Sequence, residues 1–191
     1  VRTAYRKFVM LVIVSTIPTG VIGILFKDTV ELAGTMLIVP GICLLITSVF
    51  LVIADYADEG TKRPREASYV NAGLIGVAQG IATMPGLSRS GTTITACLLC
   101  GFEKKFAVKY SFIMSIPAVL GAVVLELKDV AKAPLQASAV PACAVATVIS
   151  AIVGYLSICI MMRLIQGKKY KIFAVYCAIV GLITVGYGIF R

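Results

Sequence analysis

The sequence contains no histidine and no tryptophan, and only 14% of its residues are charged. Each scarcity removes a class of chemistry. Without histidine there is no imidazole to serve as nucleophile, general base or metal ligand. Lipid phosphatases built on a histidine nucleophile are therefore excluded. No G-x-x-x-x-G-K-[ST] string occurs, which excludes a P-loop nucleotide site. Acids are few, nine Asp and Glu against 18 Lys and Arg, for a net charge of +9. They are Asp28, Glu31, Asp55, Asp58, Glu59, Glu66, Glu103, Glu126 and Asp129, all in loops or at the ends of apolar runs. None is expected to serve as a buried general base or metal ligand at the polar loop 84–93. A soluble domain carries about a quarter charged residues, whereas this chain is 59% hydrophobic with a mean hydropathy of +0.98. The runs are long and lack strand alternation, so the fold class is an all-α polytopic membrane protein. Basic residues in the short connections then set orientation in the bilayer and do not point to nucleic acid.

The six cysteines fit the same picture. Cys43, Cys143, Cys159 and Cys177 each stand alone in an apolar run. Cys97 and Cys100 form C-x-x-C without a second pair or a histidine, so small packing residues are expected and a zinc site is not. Five full spans are predicted: 8–26, 35–54, 106–127, 137–164 and 172–190, with Pro18, Pro40 and Pro117 inside three of them. Residues 27–34 read as a short exit loop and 55–68 as a solvated loop without catalytic character. The start at Val1, with Arg2, Arg6 and Lys7 leading straight into a span, reads as the interior of a longer protein. Residues 1–191 form one integral-membrane domain in this reading.

The exception to the spans is the segment 69–102. Its first apolar run, 69–83, would rise roughly 22 Å as a helix, short of the roughly 30 Å hydrocarbon core. The second, 92–102, is shorter still. Two half-length helices joined by a polar Pro-Gly loop predict a re-entrant hairpin. With the N-terminus inside, the inner side then holds Arg2, Arg6, Lys7, Lys62, Arg63, Arg65, Lys104, Lys105, Lys109, Arg163, Lys168, Lys169 and Lys171. The outer side holds only Lys27, Lys128, Lys132 and Arg191. The hairpin tip is thereby expected to open toward the outer face.

That tip, Met84-Pro85-Gly86-Leu87-Ser88-Arg89-Ser90-Gly91-Thr92-Thr93, carries the chemistry. Irregular backbone at membrane depth is tolerated only when protein buries it or when it lines a watery cavity, and an ionisable residue there points to function. Arg89 offers a planar fork of donors suited to phosphate. Ser88, Ser90, Thr92 and Thr93 add hydroxyls, and Gly86 and Gly91 let backbone N–H groups approach an anion. A helix expected from Thr92 onward would aim its positive end at the same ligand. The competing reading is a structural kink of small residues where helices pack. Against it, no carboxylate lies within thirteen positions of Arg89 to neutralise it locally.

Pro85, Gly86, Ser88, Arg89, Ser90 and Thr93 match the second signature, Pro-Gly-x-Ser-Arg-Ser-x-x-Thr, of the undecaprenyl-diphosphatase (bacitracin-resistance) family. Gln79, the Gly101-Phe102 turn and the Ile116-Pro117 span also resemble it, so the resemblance covers essentially the whole chain. It implies a multi-pass plasma-membrane phosphatase that converts undecaprenyl diphosphate to the monophosphate, recycling the lipid carrier of cell-wall synthesis. It also implies an inverted-repeat fold, in which this chain is the C-terminal two-thirds. Ser88, Arg89 and Thr93 would be catalytic, Gly86, Arg89, Ser90 and Thr92 would bind phosphate, and Gln79 and Pro85 would support them. The chain departs from the family in its first signature, Glu-x-x-x-Glu followed by a serine-rich loop with a histidine. Gln79 and Thr83 take that spacing here and neither is a carboxylate. A divalent cation, Mg²⁺ or Ca²⁺, is expected for the complete enzyme, with its ligands outside this chain. Ser88 has no adjacent base and is read as a binder before a nucleophile. The expected partners are the isoprenyl diphosphate and membrane lipids, with a homodimer left open. Two rivals stand beside the phosphatase: a transporter of a phosphorylated isoprenyl lipid, whose broken helices would aim N-termini at the anion, and an inactive partner subunit.

Overall fold

Where lipid replaces water, backbone groups must be satisfied within the chain, and the apolar runs answer by forming helices. The computed structural model describes residues 2–57, 60–63, 65–132, 140–166 and 170–190. Eight helices occur among them: α1 (Arg2–Leu25), α2 (Lys27–Thr35), α3 (Ile38–Tyr56), α4 (Tyr69–Ile81), α5 (Arg89–Leu99), α6 (Lys104–Lys132), α7 (Val140–Gln166) and α8 (Tyr170–Phe190). Five of them, α1, α3, α6, α7 and α8, are long and apolar enough to cross a membrane. This is the all-α polytopic architecture expected from composition.

Three features differ from the sequence reading. Residues 27–35 are not an exit loop but the short helix α2, whose Lys27 and Glu31 pair across one turn at 3.7 Å. That i,i+4 spacing suits a helix surface and was hidden by the brevity of the segment. The second span starts later than expected, so Pro40 falls in the first turn of α3, where no helical N–H is required of it. α3 also continues through Asp55, which belongs to the helix and not to the solvated loop. Its side chain is only 10% exposed and meets Lys171 at 3.6 Å.

α4 and α5, with 13 and 11 residues, form the re-entrant hairpin. Their lengths give rises of about 20 and 17 Å. α4 runs alongside α1 in the same direction, and α5 turns back between α3, α4 and α6. Gly76 makes the first contact so close that a Cβ there would lie 2.2 Å from the Ser15 carbonyl oxygen. Small residues at such crossings let helix backbones approach. Both feet of the hairpin lie at one end of the molecule. The Lys62 N–H donates to Gly101 O at 3.0 Å, and the Glu103 N–H donates to Lys62 O at 3.1 Å. Ser68 caps α4 by accepting from the Asn71 N–H, while the Lys7 ammonium donates to the Arg65 carbonyl beside it. An aromatic cluster of Phe8, Phe102, Phe106 and Tyr110 fills the interior at this end. α8 packs on α3, with Ser48 Oγ donating to Ala174 O at 2.8 Å. α7 stands apart, its span Val140–Ile160 having no buried residue.

Candidate functional site

The tip is shorter than the sequence indicated, because α5 begins at Arg89 and not at Thr92. Thr83 and Met84 extend α4 by turn-like bonds to Gly80 O and Ile81 O. The chain then reverses at Gly86, whose φ of +87° is readily open only to glycine. A Cβ at Gly86 would also sit 2.3 Å from the Pro40 carbonyl oxygen. Thr47, at the middle of α3, holds the turn from beside it. Its hydroxyl donates to Gly86 O at 3.2 Å and accepts from the Ser88 N–H at 2.9 Å. The tip is thus fastened halfway along a membrane-crossing helix.

Ser88 is the N-cap of α5, and its Oγ accepts from the Gly91 N–H at 3.2 Å. No acceptor among the described residues meets the N–H of Arg89 or of Ser90, the orphan donors of a first helical turn. Arg89 is half-buried, and its guanidinium has no ion pair or hydrogen bond among the described residues. A cation, two free N–H groups and the positive helix end therefore converge at membrane depth.

The other residues singled out by sequence take distinct places. Thr93 is fully buried. Its hydroxyl donates within the helix to Arg89 O at 2.8 Å and meets Ser111 Oγ on α6, so it fastens α5 from behind. Thr92 is buried with an unpartnered hydroxyl. Ser90 and Pro85 are half-buried at the tip. Gln79 lies below it, fully buried, with Nε2 donating to Thr19 Oγ1 at 3.4 Å and Oε1 unpartnered.

Arg89 lines a cavity of about 660 Å³ between α1, α2, α6 and the tip. Thr83, Thr19, Gly23 and Pro117 share its walls. So do Lys27, Glu31 and Glu126. Both carboxylates belong to exposed residues of α2 and α6 and are not buried at the tip itself. Glu31 and Glu126 are 58 and 37 positions from Arg89 in sequence, and helix packing alone brings them to its cavity. No local motif could have shown it. Three or more His, Cys, Asp or Glu residues placed to hold a metal ion do not occur together among the described residues.

A polytopic helical membrane protein with a re-entrant hairpin, whose tip presents an unpaired arginine and a helix N-terminus, belongs to the class with an anion-binding tip at membrane depth. Comparison with known proteins narrows this class. The family model described as Bacitracin resistance protein BacA matches residues 1–183, and the chain belongs to that family. It is 41% identical over 186 residues to a protein of Methanosphaera stadtmanae named undecaprenyl-diphosphatase, covering 96% of this chain and 66% of that protein. A protein of the same name from Halothermothrix orenii is 39% identical over 180 residues, 94% of this chain and 70% of the relative. Another, from Methanobrevibacter smithii, is 42% identical over 182 residues, 94% of this chain and 65% of the relative. The chain thus spans about two thirds of the length of the curated relatives it matches.

Proposed function

We propose that this chain carries the phosphate-binding half of an undecaprenyl-diphosphatase. In this reaction water cleaves the terminal phosphate from undecaprenyl diphosphate, giving undecaprenyl phosphate and inorganic phosphate. The observation that supports it is the unpaired Arg89 at the first turn of α5, lining a largely apolar cavity at the depth of Thr47. The relatives' shared name supplies the substrate class. The transporter and inactive-subunit readings have no such support.

Each residue has a role in this scheme. Arg89 binds the terminal phosphate through two donors of its fork. The N–H groups of Arg89 and Ser90 and the helix end oppose the negative charge that shifts onto oxygen as the P–O bond breaks. The Ser88 oxygen is engaged as the cap, and its proton is left to donate to a phosphate oxygen. Among the described residues no base stands beside Ser88, which favours the role of binder over that of nucleophile. Ser90 and Thr92 add hydroxyls at the same turn. Thr93, Gln79 and Pro85 hold the hairpin in place, and Gly86 sets its reversal.

A divalent cation, Mg²⁺ or Ca²⁺, would neutralise the diphosphate and polarise its bridging bond. The donor set of this chain does not fit a resident cation by itself, since its cavity offers only Glu31 and Glu126 as carboxylates. No step is assigned through one. For orientation, the basic residues Lys7, Lys62, Lys104 and Lys105 at the feet of the hairpin support an inner position for that end, with the tip opening outward.

Phosphate release from undecaprenyl diphosphate by the protein purified from its native membrane tests the reading. Arg89→Ala is expected to lower kcat/KM by about 100-fold or more. Release by that variant near the unaltered rate would overturn the scheme.

A further inference from the structure

We propose that the groove between α1 and α6 is a track for one polyisoprenyl chain, with the phosphate end at Arg89 and the tail running toward Tyr5. The identity of the lipid rests on the diphosphatase reading, and the track itself rests on the shape and charge of the groove.

The cavity beside Arg89 does not stop at the level of the tip. Thr16, Gly20 and Pro117 line it and also line a second cavity of about 660 Å³, which continues along α1 past Val12 and Ile13 to Phe8 and Tyr5. From Tyr5 to Leu25 α1 rises about 30 Å, matching the roughly 30 Å of a bilayer's hydrocarbon core. The groove is therefore long enough to hold an extended chain from one interface toward the other.

Its polarity is one-sided. The charged residues on its walls, Lys27, Glu31, Arg89 and Glu126, all line the first cavity, and none lines the second. Thr16 makes no demand on a ligand, because its hydroxyl already donates to Val12 O at 2.7 Å. Thr19 likewise donates to the Ser15 and Gly76 carbonyls. A molecule with an anionic head and one long apolar tail has the same asymmetry. Ordinary bilayer lipids could fill the apolar part. Lys27 at this end is paired with Glu31, so the unpaired Arg89 selects the phosphorylated chain, because at this depth a guanidinium gains most from a strong anion.

The groove can be narrowed without disturbing its walls. A Cβ at Gly20 or at Gly121 would meet no atom within 4 Å, and the same holds for Gly154 on α7, outside the groove. The experiment uses the purified protein and a polyprenyl diphosphate bearing a diazirine in its tail. Photolabel is expected on peptides of α1 between 5 and 21 and of α6 between 113 and 125. Gly20→Leu and Gly121→Leu are expected to weaken this labelling. They should also raise KM for the C55 substrate about tenfold more than for a C10 diphosphate. Gly20→Ala, which adds one methyl group, should act in the same direction but less, and Gly154→Leu should change neither reading. Label confined to α7 and α8, label undiminished in Gly20→Leu, or an equal loss with both chain lengths would overturn the track. A protein that labels in the groove but releases no phosphate would sink the diphosphatase reading and leave the track standing. Release with label elsewhere would do the reverse.

Discussion

Gly86 concentrates more constraint than any other residue at the tip. Its φ of +87° is costly for any residue with a Cβ, by about 1–2 kcal/mol, and the Pro40 carbonyl occupies the place a Cβ would need. Gly86→Ala is therefore expected to lower the thermal midpoint in detergent and to cut phosphate release, measured together on one preparation. Thr47 is the complementary case. Thr47→Val keeps the shape but leaves the Ser88 N–H without its acceptor, at a cost of about 1–3 kcal/mol. Phosphate release should fall while binding of the tail to the rest of the groove persists, so kcat should suffer more than KM. The motif from Pro85 to Thr93 was legible in sequence because its chemistry is local. The burial of Thr93 behind the tip was not, because a string of hydroxyls does not tell which faces the ligand and which faces α6. That Glu31 and Glu126 line the cavity beside Arg89 was not legible for a similar reason, since proximity in sequence says nothing about helices that pack side by side.

At the scale of elements, the hairpin followed from arithmetic alone. Neither arm is long enough to cross, and the structure returns both feet to the Lys62 end. The ends of the helices were less legible. Ser88 caps α5 three residues earlier than the helix expected at Thr92, because an N-cap serine in a run of serines and threonines has no distinguishing neighbour. α4 offers a paired test of how tightly the hairpin is seated. Gly76→Ala would drive a methyl group into the Ser15 carbonyl and should abolish recovery of folded protein. Gly73→Ala on the same helix meets nothing within 4 Å. It should leave the thermal midpoint unchanged or raise it slightly, in line with about 0.5–1 kcal/mol of helix propensity.

For the whole molecule, five spans and one return place Lys27 and Lys62 at opposite ends of the bundle. With the native cysteines replaced, Lys27→Cys and Lys62→Cys should react with an impermeant thiol reagent from opposite faces of sealed vesicles, Lys27→Cys from the outside. Labelling of both from one side would contradict the return of the hairpin. Composition alone made this architecture readable, because a bilayer allows few alternatives to helices. The groove between α1 and α6 was not readable, since it exists only once those two spans stand beside each other.

The fastening of the tip also orders events in time. Its turn is satisfied by Thr47 on α3 from one side, and α5 behind it by Ser111 on α6. Alone in lipid, the same turn would expose unmet N–H and C=O groups at several kcal/mol each. The segment that looks like a span caught halfway therefore cannot enter as one. It is expected to settle at its final depth only once α3 and α6 stand beside it.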